Sequence, residues 1–88
     1  MNYRKLEVYQ YTIRFLPMAS RICHSLPRGF ADLADQLKRA STSIPLNIGE
    51  GSGKSTVKNR KRYYADARGS AMECAAIIDS CLAFELVD

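Results

Sequence analysis

The chain has no tryptophan, one histidine, three cysteines and three prolines, and no apolar run approaches the roughly 18 to 20 residues of a membrane span. Each shortage excludes something. Without such a run no helix is expected to cross a membrane, and the N-terminal MNYRKLEVYQ carries charges with no apolar stretch after them, unlike a secretory signal. A cytoplasmic protein is the expectation. Cys23, Cys74 and Cys81 are an odd set with no C-x-x-C pair, which fits reduced, buried thiols better than a disulfide framework or a zinc site. His24 has no second ligand type at metal spacing and no adjacent nucleophile pattern, so a surface role is expected, with no metal and no cofactor. What remains is a globular composition: 88 residues, 25% charged and 47% apolar, with a formal net charge of +4. That length allows one small domain, residues 1–88.

One stretch looks catalytic. Residues 48–56 read IGEGSGKST, close to the G-x-x-x-x-G-K-[ST] loop whose backbone N–H groups wrap phosphates. Counting back from Gly53-Lys54-Ser55, the first glycine should stand at position 48, which is Ile48; Gly49 is one residue too close. The run before it, SIPLNI, carries Pro45 where a buried parallel strand would precede a true phosphate loop. No later apolar run supplies a strand or a magnesium-binding aspartate. A phosphate-acting enzyme is therefore set aside, and the expectation is a non-enzymatic protein.

Periodicity points to an all-α fold, an antiparallel up-down bundle of three helices. Leu6, Tyr9, Ile13, Leu16, Ile22, Cys23 and Leu26 recur at helical spacing over about 5–26, with Pro17 inside, where a kink or local break is expected. A second helix is predicted over about 31–48, capped by Asp32, with Leu33, Leu37, Ala40, Ile44 and Ile48 on one side. Pro45 falls within it, and the hydroxyls of Ser41-Thr42-Ser43 are expected to bond the carbonyls it frees. Gly49, Gly51 and Gly53 are expected to end it. A third helix, about 56–84 and capped by Ser55 or Thr56, carries Val57, Tyr64, Ala67, Ala71, Cys74, Ile78 and Cys81 in a heptad-like seam. Gly69, Ser70 and Ala71 are expected to let another helix approach closely. Ala65, Met72, Ala75, Ala76 and Leu82 mark a second apolar side of this helix that wants a partner.

Charge is segregated along the third helix. Residues 54–68 hold Lys54, Lys58, Arg60, Lys61, Arg62 and Arg68 against Asp66 alone, while 69–88 hold Glu73, Asp79, Glu85 and Asp88 with no Lys or Arg. Both ends oppose the helix macrodipole, so the arrangement answers a demand other than stability. Lys54, Lys58, Arg60, Lys61 and Arg62 are accordingly candidate contacts to RNA or DNA phosphates, with Tyr63 and Tyr64 placed to stack on an unpaired base. The plainer reading is a solvated basic end that meets acidic ends of neighbouring copies, with Tyr64 in the core. Asn47 and Glu50 are read as satisfying backbone donors near the loop and a helix start, and Gln36, Arg39 and Glu73 as polar contacts between helices.

LEVYQ at Leu6–Gln10, the element QLKRASTSIPLNIGEG at Gln36–Gly51 and ARGSAME at Ala67–Glu73 together resemble the four-helix-bundle family named for the protein encoded within the intervening sequence of bacterial 23S rRNA genes. The resemblance covers about Leu6 to Leu86. It implies an up-down bundle with no established enzymatic activity, a homo-oligomer often closed as a ring of five, and kinship with basic accessory proteins of diversity-generating retroelements, which bind nucleic acid and a reverse transcriptase. Members of that family continue into a fourth helix, whereas this sequence stops at Glu85-Leu86-Val87-Asp88. The expectation is a chain that self-associates through its apolar seams and binds RNA or DNA through residues 54–68; the alternative is a protein-binding scaffold or accessory subunit with no nucleic-acid role.

Overall fold

The computed structural model describes residues 2–87. Three helices make the fold: α1 (Glu7–Ser25), α2 (Ala31–Ser52) and α3 (Val57–Ala83), with single 3-10 turns at Tyr3–Lys5 and Arg28–Phe30 leading into the first two. No strand occurs among the described residues. The molecule is an elongated all-α bundle, 44 × 21 × 17 Å. α2 lies in the middle and packs on both neighbours, while the backbones of α1 and α3 do not approach one another closely.

The core follows from that layout. Leu37, Ala40, Ile44 and Ile48 of α2 are buried, as their spacing predicts, and Leu37 is wholly shielded from solvent. α1 is peripheral: Ala19 is its one buried residue, and Leu6, Tyr9, Phe15, Ile22 and Cys23 reach the core only in part. From α3 come Ala67, Cys74, Ile77 and Cys81. The seam expected on α3 therefore divides. Its members at 67, 74 and 81 are buried against α2, whereas Tyr64 and Ala71 are exposed and Ile78 is half-buried. Those three line an open apolar groove between α1 and α3, floored by Ile44 and Ile48 near Tyr64 and continuing past Phe15 to Ile78.

Several local expectations need correction. α2 does not stop at position 48: it runs through Gly49 and Gly51 to Ser52, and only Gly53 closes it, its N–H bonding the Glu50 carbonyl. Gly51 is a contact residue, because a Cβ there would stand 2.9 Å from Cε1 of Tyr64 and 3.0 Å from Cβ of Tyr63. The helix–helix approach assigned to Gly69–Ala71 thus occurs at Gly51, where close packing against Tyr63 and Tyr64 of α3 offsets the ~1 kcal/mol propensity cost of glycine. Near position 70 the contact is polar instead, with Ser70 Oγ donating to Ser43 Oγ at 2.8 Å. Phe30, not Asp32, precedes α2, and no side chain caps it; Asp32 sits in the first turn. Thr56 does cap α3, its Oγ1 accepting from Asn59 N–H at 3.2 Å.

Both prolines are accommodated without a break. α1 is helical on both sides of Pro17, which faces solvent, and α2 on both sides of the buried Pro45. The hydroxyls before Pro45 do not reach the carbonyl it frees, that of Ser41. Ser41 Oγ and Thr42 Oγ1 bond the carbonyls of Lys38 and Arg39 one turn earlier, the local back-bonding usual for hydroxyl side chains inside a helix. At the far end of α3, Glu85 takes φ 60°, Leu86 N–H bonds the Cys81 carbonyl and Glu85 N–H that of Leu82. This is a left-handed helix stop made by a non-glycine residue.

Candidate nucleic-acid interface

The antiparallel order brings the start of α1, the end of α2 and the start of α3 to one end of the bundle. Contacts fix that end. The Tyr3 ring would lie 3.8 Å from a Cβ on Gly49, and its edge meets the ring of Tyr9, with centroids 5.1 Å apart. Phe30 and Phe84 meet at the opposite end, 5.2 Å between ring centroids.

Of the five cations singled out by the sequence, three are held by the fold. Lys54 Nζ lies 3.7 Å from Glu50 Oε2 and 5.0 Å from the Tyr63 ring centroid, and Arg62 Cζ lies 5.0 Å from that same centroid. Arg60 Nη1 donates to the Lys54 carbonyl at 3.0 Å, bracing the turn between α2 and α3. A cation over an aromatic face is held by ~0.5 to 1 kcal/mol at an exposed site, so Tyr63 fixes where two of these charges stand. Lys58 and Lys61 are exposed, and Lys54–Glu50 is the one ion pair among the described residues.

Sequence reasoning missed Arg4 and Lys5. Both are exposed at this same end, and Arg4 Cζ lies 4.9 Å from the Tyr3 centroid. The signal was available: three alternating helices must place the first residues of helix one beside the last of helix two and the first of helix three. Seven cations from three segments share this end, with Glu7 and Glu50 as nearby acids. Tyr63 and Tyr64 do not stand as free stacking platforms, since Tyr63 already carries two cations and Tyr64 packs on Gly51 and lines the groove.

The other singled-out groups have ordinary places. Residues 48–52 are helical, so IGEGSGKST forms no phosphate-wrapping loop. Asn47 Nδ2 donates to the carbonyl and Oγ of Ser43, both at 2.9 Å, within its own helix, and Glu50 pairs with Lys54. Gln36, Arg39 and Glu73 are exposed and bridge no helices; Ser43 and Ser70 make that contact instead. His24 is exposed, its Nδ1 2.8 Å from the Ser20 carbonyl. Among the described residues no cluster of His, Cys, Asp or Glu is arranged to hold a metal ion, and no helix is long and apolar enough to cross a membrane. The three thiols are unpaired. Burial pushes all three above the usual thiol value; Cys74 is raised further by the Glu73 carboxylate and then by Cys23, and Cys81 by Cys23.

Comparison with known proteins agrees with the motif resemblance. The family model described as 23S rRNA-intervening sequence protein matches residues 4–88. Neither curated proteins nor solved structures gave a match.

Proposed function

The chain belongs to the 23S rRNA-intervening sequence protein family, and on that premise we propose that it is a non-enzymatic, self-associating cytoplasmic protein that binds RNA or DNA through the basic end of its bundle. The observation that carries this reading is the convergence of Arg4, Lys5, Lys54, Lys58, Arg60, Lys61 and Arg62 from three segments onto one end. Three of these are oriented by Tyr3 or Tyr63, and Lys58 and Lys61 project without an acid partner among the described residues. Such a surface contacts phosphates and positions the ligand without reading bases. Three unpaired thiols fit a reducing compartment.

The test is fluorescence anisotropy with a short structured RNA and a DNA of equal length over a salt series. Native protein is expected to lose affinity steeply with salt. Lys58→Ala/Lys61→Ala and Arg4→Ala/Lys5→Ala should each bind more weakly, with the salt slope reduced by about one per phosphate contact removed. An effect of the Arg4/Lys5 pair as large as that of Lys58/Lys61 supports a composite end over a basic helix alone. No binding at low salt removes the nucleic-acid role and leaves the scaffold reading, for which the apolar groove between α1 and α3 is the relevant surface.

A further inference from the structure

The stretch IGEGSGK wraps no phosphate, yet four of its residues line one cleft. Gly49, Glu50, Gly53 and Lys54 face it at helical spacing from the end of α2 and the turn that follows, and Tyr3, Tyr9 and Ile13 face them from the N-terminal turn and α1. The space is about 600 Å³, inside the ~300 to 1,000 Å³ common for ligand sites. It shares no lining residue with the apolar groove between α1 and α3.

The two glycines keep this cleft open. Neither takes a positive φ, so the backbone does not demand them. A Cβ on Gly49 would meet the Tyr3 ring at an ordinary 3.8 Å, and one on Gly53 would meet nothing nearer than a carbonyl oxygen at 3.6 Å. Glycine inside a helix is disfavoured against alanine, and at Gly49 no close contact within the chain compensates, as one does at Gly51. What its missing side chain leaves is depth. The walls are apolar surface left in contact with water: Leu46 is 66% exposed and Ile13 41%.

The rim carries charge. Lys54 is part of the lining, and Arg4 lies over the Tyr3 ring, 4.9 Å from its centroid. Both belong to the basic end described above, so the cleft is continuous with that surface. Glu50 is the acid of the lining, 3.7 Å from Lys54. Apolar and aromatic walls accept the flat ring of a base, cations at the rim accept the phosphates on either side of it, and a carboxylate accepts from an exocyclic amino group, as it does from cytosine N4. An aliphatic side chain of a protein would use the walls and leave the charges unused.

We propose that the cleft between α1 and α2 is a slot for one unpaired base of a nucleic-acid strand, whose flanking phosphates rest on Arg4 and Lys54. The proposal rests on the nucleic-acid reading above and adds to its phosphate contacts a contact with a base that has left the duplex.

The test is fluorescence anisotropy with an RNA hairpin carrying one extrahelical adenine and with the same hairpin bearing an abasic residue at that place, so that the phosphates are identical. Native protein should bind the first at least about fivefold more tightly, the low end of what stacking one base contributes, with the same salt slope for both. Gly49→Leu fills the slot and should bring the adenine hairpin to the abasic affinity while leaving the abasic hairpin unchanged. Leu46→Asn, at an exposed position, should narrow the ratio without touching the core, and circular dichroism checks that both variants keep their helicity. Lys58→Ala/Lys61→Ala should weaken both hairpins alike and preserve the ratio. Equal affinity of native protein for the two hairpins, or a ratio that survives both Gly49→Leu and Leu46→Asn, overturns the slot while the phosphate contacts stand, and leaves the cleft to an apolar protein side chain. No binding of either hairpin at low salt overturns both.

Discussion

The two faces of α3 are built from similar residues to opposite ends. The inward face presents Ala67, Cys74, Ile77 and Cys81 to α2 and is closed; the outward face presents Ala65, Gly69, Met72 and Ala76 and is open. Small side chains serve the first by letting two helices of one chain pack closely. On the second they have no intramolecular reason. An apolar or small residue at helical spacing thus reports that a face wants a partner, and only the fold says whether the partner is already in the chain.

The contrast can be broken most sharply by truncation. Ile77→Ala removes a buried side chain, with an expected loss of about 2 to 5 kcal/mol in urea unfolding. Met72→Ala, at the low concentrations where single chains dominate, should change stability by less than about 0.5 kcal/mol. Comparable losses would place Met72 in the core of the chain and erase the difference between the faces. The glycines sharpen the comparison through the sign of the effect. Gly51→Ala drives a methyl against Tyr63 and Tyr64 and should cost about 1 to 3 kcal/mol. Gly69→Ala, entering open space, should raise the stability of the single chain by up to about 1 kcal/mol. The smallest effect concerns the thiols. Their folded-state values lie above the ordinary 9.0 because of burial, so the folded chain favours the neutral thiol. That contribution is complete below the unfolded value and is lost as pH rises through the folded one. Urea midpoints should fall modestly above about pH 9, and less so in Cys74→Ala/Cys81→Ala relative to its own value at pH 7.

Much of the fold was legible. The periodicity of α2 gave its buried side, Leu37 to Ile48, and the absence of proline from α3 matched its unbroken length. Proline and glycine misled where tertiary contact overrules local preference. Pro17 breaks nothing, and Gly49 and Gly51 read as stops but lie inside the helix; at Gly51 the ring of Tyr64 needs the space a Cβ would take. The α3 seam was half right because positions 64, 71 and 78 and positions 67, 74 and 81 have the same seven-residue period; period alone does not distinguish a core from a groove wall. At the candidate site, the sequence grouped the cations that are neighbours along the chain. Arg4 and Lys5 were missed because they are distant in sequence, and they join the others only once the helices alternate.

α2 stands between α1 and α3, and that placement governs how the chain comes apart. The outer helices meet only through side chains, with no close backbone approach, so α2 is the element through which most of the order of the molecule propagates. Hydrogen exchange should then be slowest in α2, and α1, which buries only Ala19 fully, should open in sub-global excursions that leave the α2–α3 pair intact. α3, with its open outward face, stays folded through those excursions.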